Sequence, residues 1–188
     1  MIKIGITGSL ASGKSTVAKY ISSSKYPLFS ADKVVQKIYN RDKFISVIRK
    51  KFKKKQKKKI KNIVRKIVKQ DINKLRILEK VIHPIIRKDM QSFIKSKKNK
   101  KLIFLEIPLL FESKLKKYFD VVIFVSAKRK SRIRRYIAKG GDRFFFNLLD
   151  KRQMRSEQKI KLSDYNLKNN NSLKLLKKNA KILLSKYE

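Results

Sequence analysis

Between Lys3 and Thr16 the chain reads KIGITGSLASGKST, an apolar run that breaks into small residues and ends on a lysine. Gly8, Gly13, Lys14 and Ser15 occupy the fixed positions of the spacing G-x-x-x-x-G-K-[ST], the Walker A pattern. Phosphate oxygens need several donors at short range, and main-chain N–H groups supply them only where no bulky side chain blocks the approach. Ala11 and Ser12 keep the rest of the loop small. In such a loop Lys14 reaches the β- and γ-phosphates of ATP, Ser15 ligates Mg²⁺ and Thr16 bonds the α-phosphate. A second reactive group is Asp32, in YPLFSAD. A carboxylate there is the leading candidate to orient an attacking hydroxyl and accept its proton, a role compatible with its also capping a helix starting at Lys33. Glu106, in LIFLEIPLLF, is placed to hold Mg²⁺ through water, or is a plain strand-end carboxylate.

Those groups need elements to carry them. Ile4 to Ile6 reads as the end of a buried strand, and Val17, Ala18, Tyr20 and Ile21 recur at helical spacing, so the loop delivers a helix N-terminus to the anion. Leu28 and Phe29, entered at Pro27, form a short strand that ends at the acidic tip Asp32. Residues 33–100 turn helical, with Ile60, Ile63, Val64, Ile67 and Val68 at spacings of three and four, and Asp71 as an internal cap. The runs from Leu102 and from Val121 to Val125 are unbroken and apolar, as parallel strands buried on both faces are. Residues 128–161 are helical and charged, interrupted at Gly140 and Gly141, and a last strand near Tyr165 to Leu167 precedes a terminal helix. This alternation predicts an α/β fold with a parallel sheet flanked by helices, its crossovers right-handed and its reactive groups along the strands' C-terminal edge. All 188 residues are expected to form one domain.

Composition narrows the function classes. The chain has no cysteine, which excludes disulfides, thiol catalysis and cysteine-held metal. No apolar run approaches the ~20 residues that span a bilayer, so a cytoplasmic enzyme without a membrane partner is expected. The net charge is +40, spread along the chain as lysine rather than gathered in a tail. Three readings fit it: solvated faces, steering of a small anionic substrate, or a nucleic-acid surface. The densest run, RKKFKKKQKKKIK from Arg49 to Lys61, offers only Phe52 and Ile60 as apolar anchors and lacks interleaved aromatics for stacking bases.

Taken together, GITGSLASGKSTV, SADKV, VIHPII, EIPLLFE and SDYNLKNN, in this order, resemble the dephospho-CoA kinase family across nearly the whole chain. The resemblance implies a P-loop kinase core, a helical CoA-binding insertion over residues 33–100 and a lid over 128–161. The implied reaction is transfer of the ATP γ-phosphate to the ribose 3′-hydroxyl of dephospho-CoA, the last step of coenzyme A synthesis. Asp32 matches the family's catalytic aspartate, His83 and Pro84 match a pair in the CoA-binding part, and Arg87 one turn on is placed to meet a substrate phosphate. With Pro84 at a first helical position, His83 is expected near a helix N-terminus. Arg134, Arg135, Lys139 and Arg143 are the candidates for clamping the transferring phosphoryl, and Arg135 is expected among the catalytic residues. Asn169 and Asn170 match residues beside the adenine. Phe144, Phe145 and Phe146 are expected to pack the lid. The chain departs from the family pattern at Ser9 and Ala11, where glycines are usual, and at Ser30 and Lys168, where acids are.

A phosphate loop alone does not select one reaction. Short length, the lack of a guanine-reading signature and the carboxylate after the second strand favour a small-molecule kinase. Two alternatives remain at this stage: a P-loop kinase of another nucleoside or small alcohol, and a nucleic-acid-binding protein on a degenerate nucleotide fold.

Overall fold

The computed structural model describes residues 1–23, 25–52 and 60–188, without the Lys61 side chain. Residues 53–59, and with them most of the basic Arg49–Lys61 run, lie outside the described residues. The chain divides into two units, one of residues 1–30 with 97–188 and the other of residues 31–96.

The first unit is built on a five-stranded parallel sheet, β1 (Ile2–Gly8), β2 (Leu28–Ser30), β3 (Leu102–Glu106), β4 (Val121–Ser126) and β5 (Tyr165–Lys168), in the spatial order β2-β3-β1-β4-β5. All four pairings are parallel. The unbroken apolar runs seen in the sequence are the interior strands: every residue of β3 is buried, and Val121 to Val125 are buried in β4. Register brings the reactive ends level, with Ile6 opposite Glu106 and Glu106 opposite Ser30. The loop after β1 therefore leaves the centre of the sheet at its C-terminal edge, beside the carboxylate that ends β3.

One face of this sheet is covered by α1 (Lys14–Ser22) and α9 (Leu173–Leu184). Val17, Ala18 and Ile21 of α1 and Leu176, Ala180 and Leu183 of α9 join Ile4, Ile6, Phe104, Ile123 and Val125 in one apolar cluster. Ser172 caps α9, its hydroxyl accepting the Leu175 N–H at 3.2 Å. On the other face Gly5 is needed for close approach, because a Cβ there would come within 2.9 Å of Leu110 and 3.0 Å of the Phe119 ring. Between β4 and β5 run α6 (Arg129–Ile137), α7 (Arg143–Lys151) and α8 (Ser156–Leu162). Gly140 breaks α6 from α7 with φ at 76°, and Asp142 caps α7 by accepting the Phe145 N–H at 2.8 Å. Of the three phenylalanines expected to pack there, Phe146 is fully buried and meets Tyr136 edge-on at 5.7 Å, whereas Phe144 is 42% exposed. Alternation along one helical turn sends neighbouring residues to different faces, so one anchor of the three is what the geometry allows.

The second unit consists of α2 (Ala31–Ile38), α3 (Asp42–Lys51), α4 (Ile60–Gln70) and α5 (Asn73–Ser96) among the described residues. Its buried residues include Ile38, Phe44, Ile48, Ile67, Leu78 and Met90. Asp71 accepts the Asn73 N–H at 2.9 Å and so starts α5, as expected. Arg41 pairs with Asp89 at 3.0 Å. Two expectations are corrected here. Asp32 is not a cap ahead of a helix starting at Lys33, because α2 already begins at Ala31 and Asp32 stands in its first turn. His83 is not near a helix N-terminus either, because Pro84 lies inside the 24-residue α5. Proline removes one internal hydrogen bond, and the apolar residues Leu78, Ile82 and Met90, all buried on this helix, carry it through that loss.

Candidate active site

Gly13 and Ala11 shape the loop after β1. Both adopt positive φ, 98° and 58°, and α1 begins at the next residue, Lys14. A helix N-terminus leaves its first N–H groups without internal partners, so this one points a set of donors at whatever the loop encloses. The loop closes on itself through the Ser12 N–H to the Ser9 carbonyl at 3.0 Å. A Cβ on Gly8 would stand 2.6 Å from Ser12 Oγ and 2.7 Å from the Val125 carbonyl, so only glycine lets the chain turn there. Lys14 and Ser12 are buried, and Thr16 is exposed.

Ser15 donates to Glu106 Oε1 at 2.5 Å, and Ser30 donates to Glu106 Oε2 at 2.8 Å. Glu106 is thus buried and fixed by two hydroxyls at the junction of three elements. Ser15 Oγ and a carboxylate are the hard oxygen donors that Mg²⁺ takes, usually with substrate phosphates completing its shell. The donor set therefore fits the ion. The loop fits a triphosphate for a separate reason. Ser12 Oγ, Arg132 Nε and Arg135 NH1 are buried donors that have no hydrogen-bond partner among the described residues, a cost that an anionic ligand would remove.

Asn169 joins this loop from the end of β5. Its amide donates to the Ser12 carbonyl at 2.8 Å, and a Cβ on Gly13 would collide with it. Arg135 on α6 donates to the Asn169 carbonyl at 3.1 Å. Among the cations considered for the lid, Arg135 therefore reaches the residues around the loop, while Arg134 and Arg143 line a separate cavity of ≈ 520 Å³ with Ile133 and Ile137. Lys139 is exposed. Asn170 accepts the Lys128 N–H at 2.7 Å and holds the chain after β4.

In the second unit Asp32 is exposed in the first turn of α2. His83 and Arg87, one turn apart on α5, line a cavity of ≈ 260 Å³ together with Pro84, Lys88 and Gln91. With His83 in mid-helix, an anion at this face would be met by side chains rather than by main-chain N–H groups. Among the described residues no helix is long and apolar enough to cross a membrane.

Several residues that shape the site carried no assignment from sequence. Arg132 binds Asp150 through NH1 at 2.5 Å, and Gln153, Ser156, Lys159 and Glu112 form a polar set beside the loop. In a chain with 53 lysines and arginines, one more lysine or arginine gives no signal. Glu112 closes the EIPLLFE motif, and nothing in that spacing distinguishes it from a solvated acid.

The family model described as dephospho-CoA kinase matches residues 2–174. The dephospho-CoA kinase of Bartonella henselae is 35% identical over 171 residues, covering 86% of each chain. Among solved structures, a Thermus thermophilus protein superposes with a TM-score of 0.80 at 31% identity, covering 100% of this chain and 98% of its own. The dephospho-CoA kinase of Campylobacter jejuni does so at 0.66 and 26%, with 99% and 97% covered.

Proposed function

The chain belongs to the dephospho-CoA kinase family, and on that premise we propose that it transfers the γ-phosphate of ATP to the ribose 3′-hydroxyl of dephospho-CoA. The 3′-hydroxyl attacks the γ-phosphorus, the bond to the β,γ-bridging oxygen breaks, and ADP leaves. The Asp32 carboxylate orients the hydroxyl and takes its proton. Lys14 and the N-terminal amides of α1 meet the charge on the phosphates, with Gly8, Ala11, Ser12, Gly13 and Thr16 framing them. Asn169 stands beside the adenine, and Arg135 is the lid cation that meets the transferring group. When bound, Mg²⁺ neutralises phosphate charge, and Ser15 with Glu106 would hold it. His83 and Arg87 contact dephospho-CoA, which makes residues 33–100 the substrate part and 128–161 the lid of a single kinase domain. ATP as donor argues for work in the cytoplasm.

The observation that supports this reading most is the loop with its left-handed Gly13 opening α1 and buried, unpartnered donors around it. Neither the other-alcohol kinase nor the nucleic-acid reading is favoured by any feature of this site. The test is turnover with Mg²⁺ and ATP across a panel of hydroxyl acceptors. Dephospho-CoA should give ADP and CoA at a kcat/KM well above adenosine, shikimate or pantetheine. Equal or better turnover of another acceptor would replace the substrate assignment.

A further inference from the structure

The crown of the phosphate loop, Ser9 and Leu10, is gripped from outside by a segment more than a hundred residues away. The Leu10 N–H donates to Gln153 Oε1 at 3.0 Å, and the hydroxyls of Ser9 and Ser156 share a hydrogen bond at 3.1 Å. Arg132 NH1 reaches the Leu10 carbonyl at 3.4 Å while it is bound to Asp150. Behind this segment lies Lys159, 0% exposed, with its ammonium 2.7 Å from Glu112 Oε1. The same oxygen accepts the Met154 N–H at 2.8 Å. One carboxylate oxygen therefore ties both ends of the stretch from Met154 to Lys159, and Gln153 just before it and Ser156 within it hold the loop.

An ion pair whose lysine is wholly buried and whose Glu112 side chain is only 18% exposed is a poor device for stability alone, since apolar residues of similar volume usually do as well or better. Burial pushes the Lys159 ammonium below the ordinary lysine value, Glu112 pulls it back, and the charge on nearby Lys14 adds to the lowering. Keeping a second cation close to Lys14 is unfavourable unless the arrangement serves the loop or its ligand. The loop itself needs support, because Ala11 sits at φ 58° where glycine would be at ease. Its amides have to stay turned inward when no phosphate is present to hold them.

We propose that the Lys159–Glu112 pair is a positioning device for ATP binding, fixing residues 153–156 so that Gln153 and Ser156 keep Ser9 and Leu10 in the shape that receives the phosphates. The inference rests on the reading of residues 8–16 as the ATP cradle. Lys159 and Gln153 are positioning residues here, acting through the loop rather than on the reacting atoms.

The experiment is steady-state kinetics with both substrates varied, alongside thermal unfolding, for Gln153→Leu, Lys159→Met, Glu112→Gln and the double variant Gln153→Leu/Lys159→Met. Gln153→Leu deletes the acceptor for the Leu10 N–H and leaves the ion pair intact. It should raise KM for ATP about tenfold, the size expected for one hydrogen bond, with KM for dephospho-CoA, kcat and melting temperature near wild type. Gln153→Glu, which keeps the acceptor oxygen, should restore part of that loss. Lys159→Met should raise KM for ATP as well, and adding Gln153→Leu to it should have little further effect, because both act along one chain of contacts. Should Lys159→Met fail to fold, Glu112→Gln takes its place, since it removes the charge and keeps an acceptor for Met154. A wild-type KM for ATP in Gln153→Leu, or independent multiplication of the two effects, overturns the proposal. Lys14→Ala separates the two levels: wild-type turnover there would sink the ATP cradle itself, whereas a dead Lys14→Ala beside a silent Gln153→Leu sinks only the positioning role.

Discussion

Ala11 carries a Cβ through a conformation that costs about 1–2 kcal/mol for an ordinary L-residue, and its φ of 58° lies in the middle of the loop. Ala11→Gly should relieve that strain. Glycine makes the unfolded chain freer, which offsets roughly 0.4–1 kcal/mol of the gain. The expected net result is a stability increase of up to about 1 kcal/mol in urea unfolding, with turnover kept. A loss of stability would mean that the alanine methyl makes contacts worth more than the strain. The loop's function was legible because glycine, lysine and serine at fixed spacing leave few other uses for those residues. Its supports were not. Gln153 acts through one side-chain oxygen on one amide, and Lys159 is chemically indistinguishable in sequence from dozens of solvated lysines. Ser30 stands in sequence only as a departure from an acidic position, and in the fold it fixes Glu106 by a 2.8 Å hydrogen bond.

At the scale of elements, β3 and β4 could be read directly, since strands buried on both faces are apolar without alternation, as in LIFLE of β3 and VVIFV of β4. Helix boundaries were less legible. The rule that places proline at a first helical position misplaced His83, because a stripe of buried side chains on α5 outweighs the one hydrogen bond lost at Pro84. The end of the chain closes the first unit by docking onto β5, where the Tyr187 hydroxyl donates to Tyr165 at 3.1 Å. Burial first, and then this bond, push the Tyr187 phenol from 10.0 to about 12. A pKa raised by folding means that the native state holds its proton more tightly. The contribution is therefore complete below pH 10 and is lost as the pH climbs through 12. Unfolding by urea between pH 9 and pH 12 should show wild type losing its advantage over Tyr187→Phe across that window. Parallel curves for the two proteins would contradict the assignment.

For the whole molecule, 53 basic against 13 acidic side chains set a positive field that every polyanion feels. Both substrates of the proposed reaction are polyanions, so this field favours their arrival without specifying either. Specificity has to come from local groups, which in the proposed reaction are the triphosphate loop of the first unit and, in the second, Asp32 on α2 as the acceptor's base and the His83–Arg87 face on α5. Composition made the charge plain from the start, yet it could not assign that charge to a task. What identified the family was instead the order of the motifs across nearly the whole chain.

Asp32→Asn tests the central claim most directly, with kcat measured at saturating ATP and dephospho-CoA and ATP affinity measured separately by equilibrium binding. The amide keeps the size of the side chain and cannot take a proton, so kcat should fall by roughly 10²–10⁴-fold while ATP binding stays near wild type. A wild-type kcat in Asp32→Asn would contradict the account.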